Sequence, residues 1–292
     1  MKKMNSYLKN RLKRLPLFLL NPVRYEHLRY WFAHKALLNL ECPVTFNQKL
    51  CHRKLFDRNP LYVDIADKIA ARAYVKEIAG SSILTECYFA GHPDDLDYEG
   101  LPDQFVAKAN NASGFEYLLI VNNKIELDRN QFLFSMHKFI NNDYGRTTNE
   151  WWYQQITPKI IIEEYLQDKI YSVPLDFKIY VFHGKVELLH VNYIKNGEKN
   201  RVFYTPTWEK LNIRKKDISI GEPLPPPQDL RSILDIAERL GRDFDFIRVD
   251  LYNIDDTQIV FSELTLAPGA GFSPFYPRYW DEQLGGLWHY PK

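Results

Sequence analysis

Residues 248–271 read RVDLYNIDDTQIVFSELTLAPGAG. Two runs rich in β-formers flank Asp255-Asp256, a turn pair, so the stretch predicts a β-hairpin. Side chains alternate across a strand, which puts Arg248 and Asp250 on one face of the first strand and Glu263 and Thr265 on one face of the second. Pairing the strands gathers two carboxylates, a hydroxyl and a guanidinium on otherwise apolar strands. Two readings fit this face. One is a solvated surface with an Arg248–Glu263 salt bridge. The other is a site for a hard cation, because Mg²⁺ is held by one or two carboxylates plus substrate phosphates. The turn Pro268-Gly269-Ala270-Gly271 ends the second strand beside these residues.

The rest of the chain bounds what such a hairpin serves. A length of 292 residues suits one or two domains, and 45% hydrophobic with 15% aromatic residues describes an ordered globular protein. A net charge of +1 excludes a globally basic nucleic-acid binder. Three cysteines, Cys42, Cys51 and Cys87, form an odd set without CxxC spacing, which reads as reduced thiols in a cytosolic protein rather than a zinc site. No apolar run reaches transmembrane length.

Upstream, the first residues are basic (Lys2, Lys3, Lys9, Arg11, Lys13, Arg14), and a short apolar run, Leu15–Leu20, follows. No small-residue cleavage site marks a signal peptide. The segment reads as an amphipathic helix that packs on the core or touches an anionic membrane surface. Arg24–Leu40 reads as helical, Thr45 or Asn47 as the cap of a helix through Phe56, and Tyr62–Ile78 as a helix with Lys68 and Arg72 on one face, ended by Gly80.

Lys108 lies in the strand 104–109 and leads into the small-residue loop Asn110-Asn111-Ala112-Ser113-Gly114, followed by a strand Tyr117–Val121. A strand lysine entering such a loop suits a phosphate, though hairpin loops share the composition. Asp128–Asn141 reads as a capped helix, and Trp151-Trp152-Tyr153 as packing. The strand Lys159–Leu166 emerges at the adjacent acids Glu163 and Glu164. A second hairpin, Leu175–Tyr193, turns at His183-Gly184 and puts Asp176 and Lys178 on one face; His183 and His190 read as turn and strand residues, since no nucleophile partners them. Arg201–Thr205 reads as a strand, Pro223–Pro227 as a linker, and Gln228–Leu240 as an amphipathic helix with Leu230, Ile233, Leu234 and Ala237 inward, stopped by Gly241.

The order of these pieces resembles the TupA-like ATP-grasp family. Arg248-Val249-Asp250 and the hairpin ending in Glu263-x-Thr265-x-x-Pro268-Gly269 resemble the metal-binding end of ATP-grasp ligases. Thr265 stands where most have Asn, a departure typical of the TupA-like branch. Asn47–Leu50, Asn59-Pro60, Ala66-Asp67-Lys68, Arg72–Val75, Asp176-Phe177-Lys178 and Phe182-His183-Gly184-Lys185 match further pieces of that branch. The resemblance implies an α+β, ATP-grasp fold: two α+β lobes with the nucleotide between them, plus an N-terminal helical region. Residues 1–80 would be that region and 81–292 the ATP-grasp domain, with lobes at about 100–165 and 166–292.

It also implies ATP and Mg²⁺ as cofactors. Asp250, Glu263 and Thr265 would be metal ligands. Lys68, Lys108, Asn110, Ser113, Gly114, Glu163, Glu164, Leu166, Asp176 and Lys178 would line the nucleotide site, and Lys178 and Arg248 would be catalytic. The activity implied is a carboxylate–amine ligation through an acylphosphate, joining an amino acid or small amine to a uronic acid carboxylate of a capsular or other surface polysaccharide precursor. The setting implied is a bacterial cytoplasm; contact at the inner face of the membrane is the alternative that the basic N-terminus leaves open. A kinase acting on a glycan-pathway acceptor shares the first half-reaction. A glycosyltransferase would use an Asp-x-Asp motif, a spacing that occurs here at Asp95-Leu96-Asp97 and Asp243-Phe244-Asp245, so that class stays open; a scaffold that had lost catalysis would lack the carboxylates or lysines, which are present.

Overall fold

The computed structural model describes residues 21–171, 173–215 and 218–289. The basic segment 1–20, read either as packing on the core or as touching a membrane surface, lies outside the described residues. Among those residues no helix is long and apolar enough to cross a membrane.

Two antiparallel sheets carry the architecture. The smaller contains β1 (Cys87–Gly91), β2 (Phe105–Ala109), β3 (Leu118–Val121) and β4 (Ile160–Glu164), in the order β1-β4-β2-β3. The larger contains β5 (Leu175–Phe182), β6 (Lys185–Lys195), β7 (Glu198–Tyr204), β8 (Lys210–Leu211), β10 (Phe246–Ile254) and β11 (Gln258–Thr265) in the order β11-β10-β5-β6-β7-β8; a short β9 (Ser219–Ile220) runs parallel to β7. Both expected hairpins form. Their tips, Asp255-Asp256 and His183-Gly184, have positive φ at both residues, the backbone twist that two-residue hairpin turns need.

Helices α1 (Pro22–His34), α2 (Phe46–Phe56), α3 (Leu61–Ala66) and α4 (Ala70–Ala79) precede the strands. Thr45 caps α2, with Gln48 completing a reciprocal capping box. Phe46, at its start, meets the rings of Tyr180, Phe182, Phe246, Phe275 and Trp288, so α2 shares the core of the larger sheet. Tyr180, Phe182 and Phe246 lie on the face that also carries Lys178, Arg248 and Asp250, and the polar residues begin where this aromatic cover stops. On the opposite face lies α8 (Leu230–Gly241), which follows α5 (Arg129–Ile140), α6 (Tyr144–Thr148) and α7 (Trp151–Gln155) and precedes α9 (Tyr279–Leu287). In α8, Ile233, Ala237 and Leu240 are buried, the Ile and Leu side chains each worth roughly 1.5–3 kcal/mol of apolar burial. On the smaller sheet, α5 is capped by Asp128 and buries Phe132, Met136 and Phe139.

Several expectations are corrected. The helix over Tyr62–Ile78 is two helices, because Asp67 Oδ1 accepts the Ile69 N–H at 2.8 Å and the Lys68 N–H turns to Asn110 O at 3.2 Å. A local side-chain bond has displaced the helical ladder, so Lys68 and Arg72 do not share a helix face. The helix expected to reach Leu40 stops at His34, where Lys35 adopts φ 54°. Gly241 does not stop α8 but is its last residue: a Cβ there would stand 2.5 Å from Val181 Cγ1, so glycine lets the helix approach the sheet. Leu230 and Leu234 are only half-buried. Tyr117 belongs to a single 3-10 turn rather than to β3.

Candidate active site

Residues directly opposite one another in a sheet share a face. The register of the larger sheet therefore builds one row, Glu263–Asp250–Lys178–His190–Phe203, across β11, β10, β5, β6 and β7. Thr265–Arg248–Tyr180 flanks it on one side, and Tyr252–Asp176–Asn192–Arg201 on the other. A bulge between Asp250 and Leu251 in the β10–β11 pairing leaves Ser262 without an opposite residue and bends the strand next to Glu263.

The side chains of this face form a continuous relay. Arg248 donates to both oxygens of Asp250, Nε and Nη2 each at 2.6 Å, and Nη2 also reaches Thr265 Oγ1 at 3.0 Å and Glu263 Oε1 at 3.3 Å. Lys178 Nζ donates to Asp250 Oδ2 at 2.6 Å and stands 3.1 Å from Asp176 Oδ1. Asn192 Nδ2 donates to Asp176 Oδ2 at 2.8 Å, and Arg201 Nε to Asn192 Oδ1 at 2.7 Å. Burial pushes Asp250 up to about 6, reinforced by Glu263 and opposed by Arg248 and Lys178. Burial acts the same way on Glu263, but Lys178, Lys68 and Arg248 outweigh it and hold that carboxyl down at about 2.

The smaller sheet supplies the facing wall. Lys108 Nζ donates to Glu163 Oε2 at 2.8 Å; Glu163 Oε1 accepts from Arg72 at 2.6 Å and Thr85 at 2.7 Å. Lys108 and Lys68 lie close enough to Glu263 for their charges to act on it, and Lys108 also acts on Tyr252. Desolvation and the Lys108 charge lower the Lys68 ammonium, whereas Glu163 and Tyr252 raise Lys108 against desolvation.

The expected residues are thus unequally placed. Glu163 is buried and bridges two cations, while Glu164 is exposed at the end of β4 and Leu166 is half-buried beyond it. Asn110 spends its side chain on structure, donating to Asp67 Oδ1 and Thr157 O and accepting from Lys159 N. Lys68 Nζ holds the loop through Ala112 O, Ser113 bonds Tyr144, and Gly114 sits exposed at φ 105° with nothing near its Cβ position. Sequence reading gave no role to Thr85, Asn192 or Arg201. The last two join the site only through strand register, which no local motif announces.

Asp250, Glu263 and Thr265 present oxygen donors side by side, the chemistry Mg²⁺ prefers. Among the described residues no group of three or more His, Cys, Asp or Glu side chains gathers to hold a metal. Two carboxylates fit an ion that completes its shell with nucleotide phosphates and water, so the donor set suits Mg²⁺ bound together with ATP.

The family model described as TupA-like ATPgrasp matches residues 48–289. The chain belongs to that family and has its ATP-grasp fold. Among curated proteins nothing matches the sequence. Among solved structures, D-alanine–D-alanine ligase from Bacillus anthracis is similar at 15% identity and a TM-score of 0.45, over 77% of this chain and 63% of its own. The Helicobacter pylori D-alanine–D-alanine ligase is similar at 12% identity and TM-score 0.42, over 78% and 61%. An N5-carboxyaminoimidazole ribonucleotide synthetase solved with ADP gives 11% and 0.42, over 70% and 45%. This chain therefore spans less than two thirds of the length of each.

Proposed function

We propose that the chain is an ATP-dependent carboxylate–amine ligase. The observation that supports this reading best is that Lys108, from the smaller sheet, and Lys68, from the turn between α3 and α4, lie close enough to act on Glu263, which heads the Glu263–Asp250–Lys178 row of the larger sheet. In this reading the two sheets belong to two lobes, about 100–165 and 166–292, with ATP between them. Glu164 and Leu166, at the end of β4, border the base. Lys108 holds phosphate oxygens and is itself held by Glu163, while the 110–114 loop covers the phosphates and Lys68 anchors that loop.

Asp250 and Glu263, with Thr265 beside them, would hold Mg²⁺, and the ion would neutralise triphosphate charge. The acceptor carboxylate attacks the γ-phosphorus, the bond to the β-phosphate oxygen breaks, and ADP leaves. Lys178 and Arg248 stabilise the charge on the moving phosphoryl group. The amine nitrogen then attacks the acyl carbon, the C–O bond to phosphate breaks, and the nitrogen loses a proton to give the amide. No protein nucleophile is required. The family's link to teichuronopeptide and surface-polysaccharide synthesis supports a uronic acid carboxylate as acceptor and an amino acid or small amine as donor.

The test is incubation of the full chain with ATP, Mg²⁺, uronic acid glycosides and a panel of amines. A product at the mass of acid plus amine less water, with equimolar ADP and phosphate, is expected. A stable phosphorylated acceptor, unchanged by any amine, would replace the ligase with a kinase. Failure of every acceptor to stimulate ADP release would end the uronate assignment.

A further inference from the structure

The polar face does not stop at Lys178. His190, next in the row, is 2% exposed, and neither of its ring nitrogens has a hydrogen-bond partner among the described residues. Its ring lies against Phe203 and Tyr180, with centroids 4.7 and 5.8 Å away. A buried donor without a partner is costly, so the position asks for an explanation. Desolvation, with the charges of Arg201, Arg248, Lys178 and Lys215, keeps the imidazole neutral, far below its usual range. A neutral ring still has one N–H to donate. Surrounded by cations, that donor suits an oxyanion rather than a second cation.

The neighbouring groups are fixed in place. Asn192 takes Arg201 Nε, which sets the plane of the guanidinium, and passes the contact through Asp176 to Lys178. Lys215 is buried to 7% exposure, lies 4.0 Å over the Phe275 ring and donates to Ser273 O at 3.3 Å. Strands pack about 4.8 Å apart, so β7, two strands from β5, lies roughly 10 Å from the backbone of Lys178. That is on the order of one or two sugar rings away from the reacting phosphate.

We propose that Arg201, Asn192, His190 and Lys215 form an acceptor subsite for a second oxyanion. The acceptor then carries two anionic groups: the carboxylate activated beside Lys178 and Arg248, and a carboxylate or phosphate about one sugar unit away. The first group rests on the ligase reading; the second rests on the His190 cluster alone.

Calorimetric titration of the full chain, with and without ADP and Mg²⁺, separates the two. The probes are methyl glucuronoside with one anionic group, glucuronic acid 1-phosphate, and a disaccharide of two glucuronic acids. At least one doubly anionic probe should bind tenfold or more tighter than methyl glucuronoside, and the tighter of the two identifies phosphate or carboxylate as the second group. Arg201→Gln, at a half-buried position, should erase this discrimination with single-anion binding of methyl glucuronoside retained; Lys215→Gln should reduce it. Equal binding of all three probes to the wild type, or full discrimination kept by Arg201→Gln, overturns the subsite. Absence of ADP binding by the wild type would instead count against the ligase reading, since the probe series is also measured without nucleotide.

Discussion

Beneath α1 lies a network of buried charge that invites comparison with the one in the cleft. Lys54 and Glu26 pair with both side chains at 0% exposure. Glu26 also accepts from Asn149 at 2.8 Å, Lys54 donates to Thr148 O at 3.1 Å, and Glu150 lies close by at 3% exposure. In the cleft, Asp250 is equally buried at 0%, but its partners Arg248 and Lys178 keep 11% and 18% of their side chains open, and Glu263 keeps 24%. Both networks answer the same physical demand, that buried charge be paired and hydrogen-bonded. They differ in access. The α1 network is sealed, so its charges can only hold α1, α2 and the 148–150 turn together. The cleft network has one open side and faces two further lysines. Burial of charge is therefore a poor guide to function by itself, and an open side facing opposite charge is a better one.

The sharpest way to break this contrast is to remove one charge from each network. Glu263→Gln keeps shape and loses the charge. Metal-dependent ATP turnover per folded molecule should fall by about two to three orders of magnitude, and stability should drop as well, because Lys178, Lys68 and Arg248 favour this carboxylate in its charged form in the fold. Asp250→Asn should lower turnover in the same way, and the double variant should turn over little more slowly than either, as for residues acting as one unit. A variant with normal turnover and lowered stability would return the hairpin to the plain salt-bridge reading. In the sealed network the forecast for turnover reverses. Lys54→Met leaves two buried acids uncompensated and should cost about 3–5 kcal/mol of stability by urea unfolding, with KM for ATP unchanged in the folded fraction. A selective loss of turnover there would erase the distinction between the two networks.

How far the sequence could anticipate this depended on the range of the forces involved. Hairpins were legible because alternation and turn residues are local: Asp255-Asp256 and His183-Gly184 announce both. The helix start was legible for the same reason, narrowed to Thr45 or Asn47, of which the structure uses Thr45. The broken helix at Asp67 was not, since an Asx bond to Ile69 and a backbone bond to Asn110 compete with a helical pattern that looks unbroken in sequence. In the site, Asp250 and Glu263 could be placed opposite each other from one hairpin. Arg201 and Asn192 needed the register of strands paired through β6, and Glu163, expected to line the nucleotide site, shows its ion pairs only once Arg72 and Lys108, 91 and 55 residues away in sequence, close on it. The sealed network was invisible because it joins α1, α2 and the 148–150 turn, which share no local pattern.

Glu150 offers the finest test of the contrast, through pH. Desolvation raises its carboxyl to about 7; the charge of Lys54 and a bond to Thr148 oppose the shift, the charge of Glu26 adds to it, and the charge of Arg29 lowers it. The unfolded reference is near 4.5. Between these values the folded protein binds more protons than the unfolded chain, so stability from this group is full below pH 4.5 and is lost as pH rises through 7. The change amounts to about 2–3 kcal/mol over that window. Glu150→Gln cannot titrate and keeps the volume, so its stability should lack this component. Urea unfolding of wild type and variant at pH 5 and pH 8 should show the variant gaining on the wild type by that amount at the higher pH. Cleft groups titrate equally in both proteins and cancel in the difference. Parallel pH profiles would mean that the α1 network is reached by water after all, and the access argument that separates it from the cleft would fail with it.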